Sequence, residues 1–259
     1  MILQNKTLWL IGASSGIGAA LAPALVAQGA RLAISSRREE DLNRVADAAA
    51  LMGRRPLVKP LDVTDLDAVR LLYGELVAEW GQVDVLFYNA GARAQAEVTN
   101  FDTESALRQA DINYLGLIRA TGTVMPGMIA RRSGEIVGVA SLAGYAGFPR
   151  GAAYSSSKVA VNTYLQSLRI DLRRFDVGVT TVNPGFVDTP LIADTTVPTP
   201  FMVSPERAAS RIVAGLLDGR EEIHFPRRLS WPLKAFTALP RPMYEALARR
   251  FMVRRNENS

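Results

Sequence analysis

The sequence predicts an α/β fold in which helices cover both faces of one doubly wound parallel sheet, a three-layer sandwich of about seven strands. Strand-like and helix-like segments alternate along the 259 residues, which is typical of parallel sheets. Several strand-like segments are unbroken apolar runs, as expected for strands buried on both faces. Glycine and polar motifs directly follow the strands, where open sheets bind ligands. Because no linker, low-complexity tract or internal repeat interrupts this pattern, we expect a single domain.

The first half of the chain alternates between short apolar segments and longer helix-like ones. We predict strands at residues 7–11, 31–35, 56–60 and 83–89, and helices at residues 19–26, 39–51 and 64–80. Thr64 or Asp62 would cap the third helix, because both side chains can accept hydrogen bonds from the free N–H groups at a helix start.

The second half begins with a long helix, predicted over residues 103–131. Pro126 would bend or end it, because proline lacks the backbone N–H. We predict further strands at residues 134–140, 178–183 and 222–225, and helices at residues 154–175 and 204–218. Ser204 would cap the last helix, with Pro205 at its first position.

A glycine motif follows the first strand. Residues 12–18 read G-A-S-S-G-I-G and lead into an apolar stretch of helical length. A strand, a glycine turn and a helix in this order aim backbone N–H groups and a helix N-terminus at a phosphate. Glycine lets a pyrophosphate approach the backbone. The motif indicates a nucleotide site, although its spacing is not the commoner G-x-G-x-x-G and a plain glycine turn is the alternative.

Residues 12–16 also fit G-x-S-x-G, the nucleophile elbow of hydrolases. That elbow takes part of its oxyanion hole from a loop after an earlier strand, and almost no chain precedes residue 7 in this sequence. A hydrolase triad also needs a histidine, and His224 is the only one. Since His224 lies in a short strand-like segment near the end of the fold, we expect it to be a structural or surface residue.

Tyr154 and Lys158 stand four residues apart, and Ser141 lies thirteen residues before the tyrosine. Residues four apart on a helix share a face, so the ammonium can lie beside the phenol. Lowering the pKa of a tyrosine from about 10 to about 7 needs roughly 4 kcal/mol, and a nearby cation in a partly dry site is a suitable source. Taken without the other motifs, Tyr154 and Lys158 could also be an ordinary surface pair four residues apart on a helix.

Together these motifs resemble the short-chain dehydrogenase/reductase family, in its order and spacing, over about residues 5–225. The matching positions are the glycine motif, Asp62-Val63, Asn89-Ala90-Gly91, Asn113, Ser141, Tyr154 with Lys158, and Asn183-Pro184-Gly185. There are two departures, because the family usually has threonine where Ile11 stands and asparagine where Tyr88 stands. Both positions belong to the polar scaffold behind the cofactor, so the resemblance leaves the local hydrogen bonds there open.

The resemblance implies four catalytic residues on a Rossmann-like dinucleotide-binding fold. Tyr154 would give a proton to a carbonyl oxygen, or remove it in oxidation. Lys158 would lower the pKa of the tyrosine and bind the nicotinamide ribose. Ser141 would orient and polarise the carbonyl, and Asn113 would hold a proton relay to solvent.

The resemblance also implies a set of cofactor-binding residues. They are Gly12, Ser14, Ser15, Gly16, Ile17, Gly18, Ser36, Arg37, Asp62, Val63, Asn89, Ala90, Gly91, Tyr154, Lys158, Pro184, Gly185, Val187 and Thr189. Several of these close a predicted strand, at the edge where such sheets bind ligands.

The end of the second strand bears on cofactor preference. An acidic residue there would accept from a ribose 2′-hydroxyl and repel a 2′-phosphate, but the chain has Ser35-Ser36-Arg37-Arg38. A guanidinium suits a phosphate, and neighbouring hydroxyls can donate to its oxygens. We therefore expect NADP(H) to be preferred over NAD(H); the alternative is that both arginines are solvated.

The expected activity is that of an NADP(H)-dependent oxidoreductase, transferring a hydride between the nicotinamide and a lipophilic ketone, aldehyde or secondary alcohol. Tyr145, Phe148 and a lid at residues 190–203 would form an apolar pocket for this small-molecule substrate. The alternatives are a 3-oxoacyl-thioester ketoreductase and, with less support, a non-catalytic NADP-binding regulatory protein.

Composition limits the other classes. The chain has no cysteine and one histidine, so we expect neither disulfides nor a metal site. Residues 220–259 carry nine Arg or Lys against four Glu, which accounts for the whole net charge of +5. Nothing resembles a nucleic-acid-binding motif.

We divide the chain into a dinucleotide-binding catalytic domain at residues 1–225 and a basic amphipathic tail at residues 226–259. The tail mixes arginines with Trp, Phe and Leu, which suits a helix lying in a membrane interface. Covering a neighbouring subunit or capping the substrate pocket are the alternatives. By resemblance we expect a homo-oligomer, in the cytoplasm or associated with a membrane.

Overall fold

Seven parallel strands form one sheet in the order β3-β2-β1-β4-β5-β6-β7. The computed structural model describes residues 2–94, 98–195 and 198–250. The strands are β1 Thr7–Ile11, β2 Arg31–Ser35, β3 Leu57–Val58, β4 Val85–Tyr88, β5 Gly134–Val139, β6 Val177–Pro184 and β7 Glu222–Phe225. The strand order reverses between β1 and β4, so the carboxyl ends of these two strands flank the crevice where such sheets bind ligands.

Helices cover both faces of the sheet. They are α1 Gly16–Val26, α2 Glu39–Ala50, α3 Leu66–Trp80, α4 Thr103–Ala110, α5 Gly116–Ala130, α6 Ala152–Leu172, α7 Pro205–Leu217, α8 Arg227–Thr237 and α9 Arg241–Ala248. Alternate residues of β1 enter two separate cores, as the two-residue period of a strand requires. Leu8 and Leu10 pack with α1, α2 and α7, whereas Trp9 and Ile11 pack with α3, α5 and α6. The predicted three-layer α/β fold with a doubly wound parallel sheet is confirmed.

The cap of α3 differs from the prediction. Asp65 caps this helix, because its Oδ1 accepts from the N–H groups of Asp67 and Ala68 at 2.9 and 3.0 Å. Asp62 instead accepts from the backbone N–H and the hydroxyl of Thr64. That turn leaves neither Asp62 nor Thr64 at the N-cap position.

Ser204 caps α7 as predicted, accepting from the N–H of Arg207 at 3.3 Å, with Pro205 at the first position.

The predicted long helix over residues 103–131 is interrupted. Asp111–Leu115 forms a π-helical turn between α4 and α5. Pro126 lies inside α5 and does not end it. The helix continues past this proline, since the N–H of Arg131 still bonds to the carbonyl of Gly127.

The C-terminal helices pack back onto the sheet edge and a neighbouring loop. Lys234 of α8 pairs with Glu222 of β7 at 2.7 Å, and the Tyr244 hydroxyl of α9 donates to the carbonyl of Gly147 at 2.7 Å. Residues 251–259 of the predicted tail lie outside the described residues. Within the described ranges, no helix has the length and apolar character to span a bilayer.

Candidate active site

A cleft of about 840 Å³ opens beyond the carboxyl ends of the central strands. Apart from Gly18 and Asn113, every predicted catalytic and cofactor-binding residue lines it. These are Gly12, Ser14, Ser15, Gly16, Ile17, Ser36, Arg37, Asp62, Val63, Asn89, Ala90, Gly91, Ser141, Tyr154, Lys158, Pro184, Gly185, Val187 and Thr189. The fold thus brings together residues that span more than two thirds of the chain.

The glycine motif forms a tight turn at one end of the cleft. Gly12 has φ of +88°, and a Cβ there would lie 2.4 Å from the backbone nitrogen of Ala90. Gly18 lies behind the cleft, where a Cβ would be 2.0 Å from the carbonyl oxygen of Gly12. Asn89 ties the loop after β4 to this turn by donating to the same carbonyl at 2.6 Å. Gly18 therefore serves the packing of α1 against the turn.

The start of α1 suits an anion. Ser15 is the N-cap residue, yet its side chain makes no capping hydrogen bond within the described part of the chain. The first N–H groups of a helix have no partner inside the helix, and its N-terminus carries partial positive charge. A phosphate group of a dinucleotide fits this position.

The predicted adenosine end of the cleft lies at the end of β2. Ser35 is buried, and its hydroxyl accepts from the indole N–H of Trp9 at 2.9 Å. The buried hydroxyl of Ser36 has no hydrogen-bond partner among residues 2–94, 98–195 and 198–250. Buried polar atoms are normally paired, so the Ser36 hydroxyl fits contact with a bound ligand.

Arg37 and Arg38 both line the cleft beside Ser36. Arg38 pairs with Asp41 and reaches the Ser14 hydroxyl of the glycine motif at 3.4 Å. The predicted cofactor-binding set included Arg37 but missed Arg38. The signal available for Arg38 was its position directly after Arg37 in the Ser-Ser-Arg-Arg run.

Asp62 faces the same end of the cleft. Hydrogen bonds from Thr64 hold the pKa of Asp62 below its ordinary value, with smaller contributions from the charges of Arg37 and Arg119. The side chain is therefore a carboxylate that can accept hydrogen bonds from a base or ribose.

Tyr154 and Lys158 lie one turn apart at the start of α6. Lys158 is buried, its Nζ donates to the carbonyl of Val139 at 2.9 Å, and it lies 5.9 Å from the centre of the Tyr154 ring. Burial lowers the pKa of Lys158 to about 8.

The pKa of Tyr154 does not follow the sequence expectation. Burial raises it, and the forces acting against that rise are the hydrogen bond with Ser141 and the charge of Arg93. The Lys158 ammonium lies 5.9 Å from the centre of the Tyr154 ring, but its hydrogen bond goes to the Val139 carbonyl. Ser141 and Arg93 therefore act on the phenol in addition to the predicted Lys158.

Ser141 follows β5 and lies beside Tyr154. Its hydroxyl accepts from the N–H of Ala143 at 3.1 Å and donates to the carbonyl of Pro184 at 3.4 Å. Its backbone N–H donates to Oδ1 of Asn183 at 3.2 Å. The hydroxyl is thus held at the junction of the loops after β5 and β6, where it can meet a substrate oxygen.

Asn113 lies in the π-helical turn, so the predicted helix irregularity is present. Its side chain contacts both backbone groups of Ala92, at 2.7 and 3.0 Å, and donates to the Ser157 hydroxyl at 2.9 Å. Asn113 therefore joins the loop after β4 to α6. Its relay role stays a prediction.

The two departures from the family pattern are accommodated differently. Ile11 is fully buried in the apolar core. Tyr88 is also buried, but its hydroxyl donates to the carbonyl of Ile112 in the π-helical turn at 2.5 Å. A Cβ at Gly116 would lie 2.2 Å from that hydroxyl. Tyr88 and Gly116 therefore fit together, and the tyrosine supports the turn that holds Asn113.

Arg93 is a second residue that the predicted set missed. It lines the cleft, lies 6.0 Å over the Tyr154 ring and donates to the Thr195 hydroxyl at 3.2 Å. Its position, two residues after the Asn-Ala-Gly motif, was the available signal. Arg93 and Thr195 connect the loop after β4 to the predicted lid.

The predicted apolar pocket is partly wrong. Leu191 and Ile192 of the lid line the cleft, whereas Tyr145 and Phe148 do not. The Tyr145 hydroxyl is directed elsewhere, donating to Oε1 of Glu222 at 2.9 Å. Residues 196–197 of the lid lie outside the described residues.

His224 is structural, as predicted. Its Nδ1 lies 2.7 Å from the Ser230 hydroxyl, and its ring packs edge-on against Trp231 at 5.3 Å. In the described ranges, no cluster of three His, Asp or Glu side chains could hold a metal ion.

Known proteins resemble this chain over most of its length. A family model for short chain dehydrogenase matches residues 6–198. An uncharacterized oxidoreductase of Myxococcus xanthus is 36% identical over 248 residues, which cover 96% of this chain and 98% of that protein. A dehydrogenase/reductase SDR family protein 7-like of Drosophila melanogaster is 34% identical over 193 residues, covering 73% of this chain and 59% of that protein.

Among solved structures, a variant of actinorhodin polyketide ketoreductase with NADPH is similar with a TM-score of 0.79 at 27% identity. The similarity covers 87% of this chain and 97% of the other. The family match, the oxidoreductase relatives and the fold shared with an NADPH-bound ketoreductase all point to the same family as the cleft residues described above. The chain therefore belongs to the short-chain dehydrogenase/reductase family, oxidoreductases that act on CH–OH and C=O groups with a nicotinamide cofactor.

Proposed function

We propose that the protein is an NADP(H)-dependent carbonyl reductase or alcohol dehydrogenase in which Tyr154 is the general acid and base. The observation that carries this proposal is the meeting of Tyr154, Ser141 and buried Lys158 at one end of a cleft whose other end is the glycine turn. When bound, the nicotinamide supplies or accepts the hydride.

In the reductive direction, the Tyr154 hydroxyl gives its proton to the carbonyl oxygen, and the Ser141 hydroxyl donates a hydrogen bond to the same oxygen. Arg93 stabilises the phenolate left behind, since its charge favours the ionised form of Tyr154. Lys158 holds its ammonium within the cleft, where it can bind a ribose hydroxyl.

Tyr154→Phe tests the proton donor. We expect turnover to be abolished while NADPH affinity, measured by fluorescence titration, stays nearly unchanged. Tyr164→Phe is the matched control, because Tyr164 is on the same helix but contacts Thr121, and it should keep turnover. Unaltered turnover in Tyr154→Phe would refute the assignment.

We also propose that NADP(H) is preferred over NAD(H). Ser36, Arg37 and Arg38 lie at the end of β2, and the Ser36 hydroxyl is free to donate to a 2′-phosphate. Ser36→Asp should weaken NADPH binding by roughly tenfold or more, since each lost charge-assisted bond costs about 1.5–3 kcal/mol. It should improve NADH binding. Equal affinity for both cofactors in the unmodified protein would end this proposal.

For the substrate we propose a lipophilic ketone, aldehyde or secondary alcohol, because Leu191 and Ile192 line the cleft. A 3-oxoacyl-thioester ketoreductase is the second candidate, supported by the similarity to a polyketide ketoreductase. A panel that compares 3-oxoacyl thioesters with simple ketones, followed by NADPH absorbance, separates the two. Binding of NADPH without turnover of any carbonyl would favour a regulatory protein.

The assembly, location and domain division stay predictions. A cavity of about 670 Å³ on the outer face of α6 supports the expectation of a homo-oligomer. Analytical sedimentation measures the oligomeric state.

Trp231 and Met243 of the tail are 59% and 53% exposed and support a membrane contact. Vesicle binding that is unchanged in a Trp231→Ser, Met243→Ser double variant would refute that contact.

A further inference from the structure

A chain of hydrogen bonds leads from α8 to the backbone of Ser141. Lys234 Nζ donates to Oε2 of Glu222 at 2.7 Å. Oε1 of the same carboxylate accepts from Nδ2 of Asn183 at 3.1 Å. Oδ1 of Asn183 accepts from the N–H of Ser141 at 3.2 Å. Three successive contacts thus connect a C-terminal helix to the catalytic serine.

The carboxylate determines which way the Asn183 amide faces. A carboxylate can only accept hydrogen bonds, so Nδ2 must face Glu222 and Oδ1 must face Ser141. In the reversed orientation, oxygen would face oxygen at Glu222 and two N–H donors would meet at Ser141. Asn183 is 1% exposed, and at that burial water cannot replace the lost partners.

Glu222 also holds the turn that follows Ser141. Its Oε1 accepts from the Tyr145 hydroxyl at 2.9 Å, and Tyr145 directly follows the 3₁₀ turn Leu142–Gly144. One carboxylate therefore fixes the serine through Asn183 and the next turn through Tyr145.

We infer that Glu222 is a positioning residue for Ser141, acting through Asn183, and that Lys234 makes this positioning depend on the docking of α8. The inference rests on the proposed function, because the orientation of Ser141 affects turnover only if Ser141 holds the substrate oxygen.

The charges around the carboxylate support a dependence on pH. Partial burial alone would raise the pKa of Glu222, but hydrogen bonds from Lys234 and Tyr145 and the charge of Lys234 outweigh it and lower the pKa, with His224 on the same strand acting in the same direction. The acceptor is therefore charged at neutral pH.

Removing the ammonium should raise the pKa of Glu222. Once protonated, the carboxyl group carries an O–H donor of its own, which conflicts with the hydrogen bonds that Asn183 and Tyr145 donate to it. The loss of activity on acidification should then begin at a higher pH than in the unmodified protein.

Two substitutions test the carboxylate, with kcat and KM measured for one carbonyl substrate and NADPH. Glu222→Ala should lower kcat by about tenfold, the equivalent of one lost hydrogen bond, and should leave the KM for NADPH within about twofold. Glu222→Gln keeps an acceptor oxygen for Asn183 and should restore most of kcat. An unchanged kcat in Glu222→Ala would overturn the inference.

Lys234→Met tests the link to α8. The kcat of this variant should match that of the unmodified protein at pH 8. Its loss of activity on acidification, the acid limb of the pH profile, should begin at a higher pH. An unmoved acid limb would overturn the role of Lys234. The matched controls are Lys59→Met and Glu75→Gln, since this ion pair has the same 2.7 Å contact and neither side chain lines the cleft; neither should change kcat or the acid limb.

Amide hydrogen exchange gives a reading that does not need turnover. Exchange at the Ser141 amide should be faster in Glu222→Ala than in the unmodified protein, and near normal in Glu222→Gln. If the unmodified protein reduces no carbonyl, the proposed function fails, while exchange still reports on the network. Unchanged exchange together with unchanged kcat would refute the network itself. If Glu222→Ala does not fold, Lys234→Met decides through the acid limb.

Discussion

The glycine-turn end of the cleft is held by backbone packed against backbone, whereas the Tyr154 end is held by side chains from distant parts of the chain. At the first end, a single added Cβ at Gly12 would meet the backbone of Ala90. At the second, Asn113 clamps Ala92 and Ser157. The comparison teaches that the cofactor end depends on close approach of the backbone at glycine, while the chemical end depends on hydrogen bonds made by buried side chains.

The largest expected effect is at the glycine turn. Gly12→Ala should cost about 3 kcal/mol or more of unfolding free energy, because overpacking and a left-handed backbone both act against the added methyl. NADPH binding should also be lost. Gly122→Ala is the control, since a Cβ there meets nothing within 4 Å in the described structure and should stabilise the helix by about 1 kcal/mol. Denaturant titration measures both, and a tolerated Gly12→Ala would break the comparison.

The next effect concerns a long-range bond behind the Tyr154 end. Tyr88→Phe removes the donor to the buried Ile112 carbonyl and should cost about 1–3 kcal/mol. Because this bond supports the π-helical turn, kcat should fall while the KM for NADPH stays the same. Thermal unfolding and steady-state kinetics provide the measurements. A fall in NADPH affinity with normal kcat would instead place Tyr88 with the cofactor end.

Asp62 and Asp65 separate cofactor contact from helix capping. Asp65→Ala should lower the unfolding free energy by about 1 kcal/mol, a decrease in Tm of about 2–4 °C, without changing the KM for NADPH. Asp62→Ala should raise that KM, since its carboxylate lines the cleft. If both variants change only Tm, the carboxylate of Asp62 is not a cofactor contact.

The smallest effect is a shift in pH dependence. The charge of Arg93 acts to lower the pKa of Tyr154, so Arg93→Met should raise that pKa. Alcohol oxidation needs the phenolate to accept a proton, and its rate should therefore rise at higher pH than in the unmodified protein. Arg93→Lys keeps the charge and should keep the profile. An identical profile in Arg93→Met would show that Arg93 does not act on the phenol.

Much of the cleft could be predicted because its motifs are local. Tyr154 and Lys158 share a helix face by their spacing alone, and the glycine motif follows directly from its place between β1 and α1. The sequence could not show that Lys158 donates to the Val139 carbonyl, since spacing does not say which neighbour accepts its hydrogen bond. Arg38 and Arg93 were missed because a basic residue in a loop is equally compatible with solvent.

By itself, the sequence determined the sheet, its glycine turn and the presence of a Tyr–Lys pair, because apolar periodicity and chain-local spacing specify them. Only the tertiary structure decided that Tyr145 bonds to Glu222 rather than lining the cleft, and that Tyr88 bonds to the π-helical turn. Each of these depends on which polar groups meet after the strands pair, and buried polar groups select partners by geometry rather than by distance along the chain.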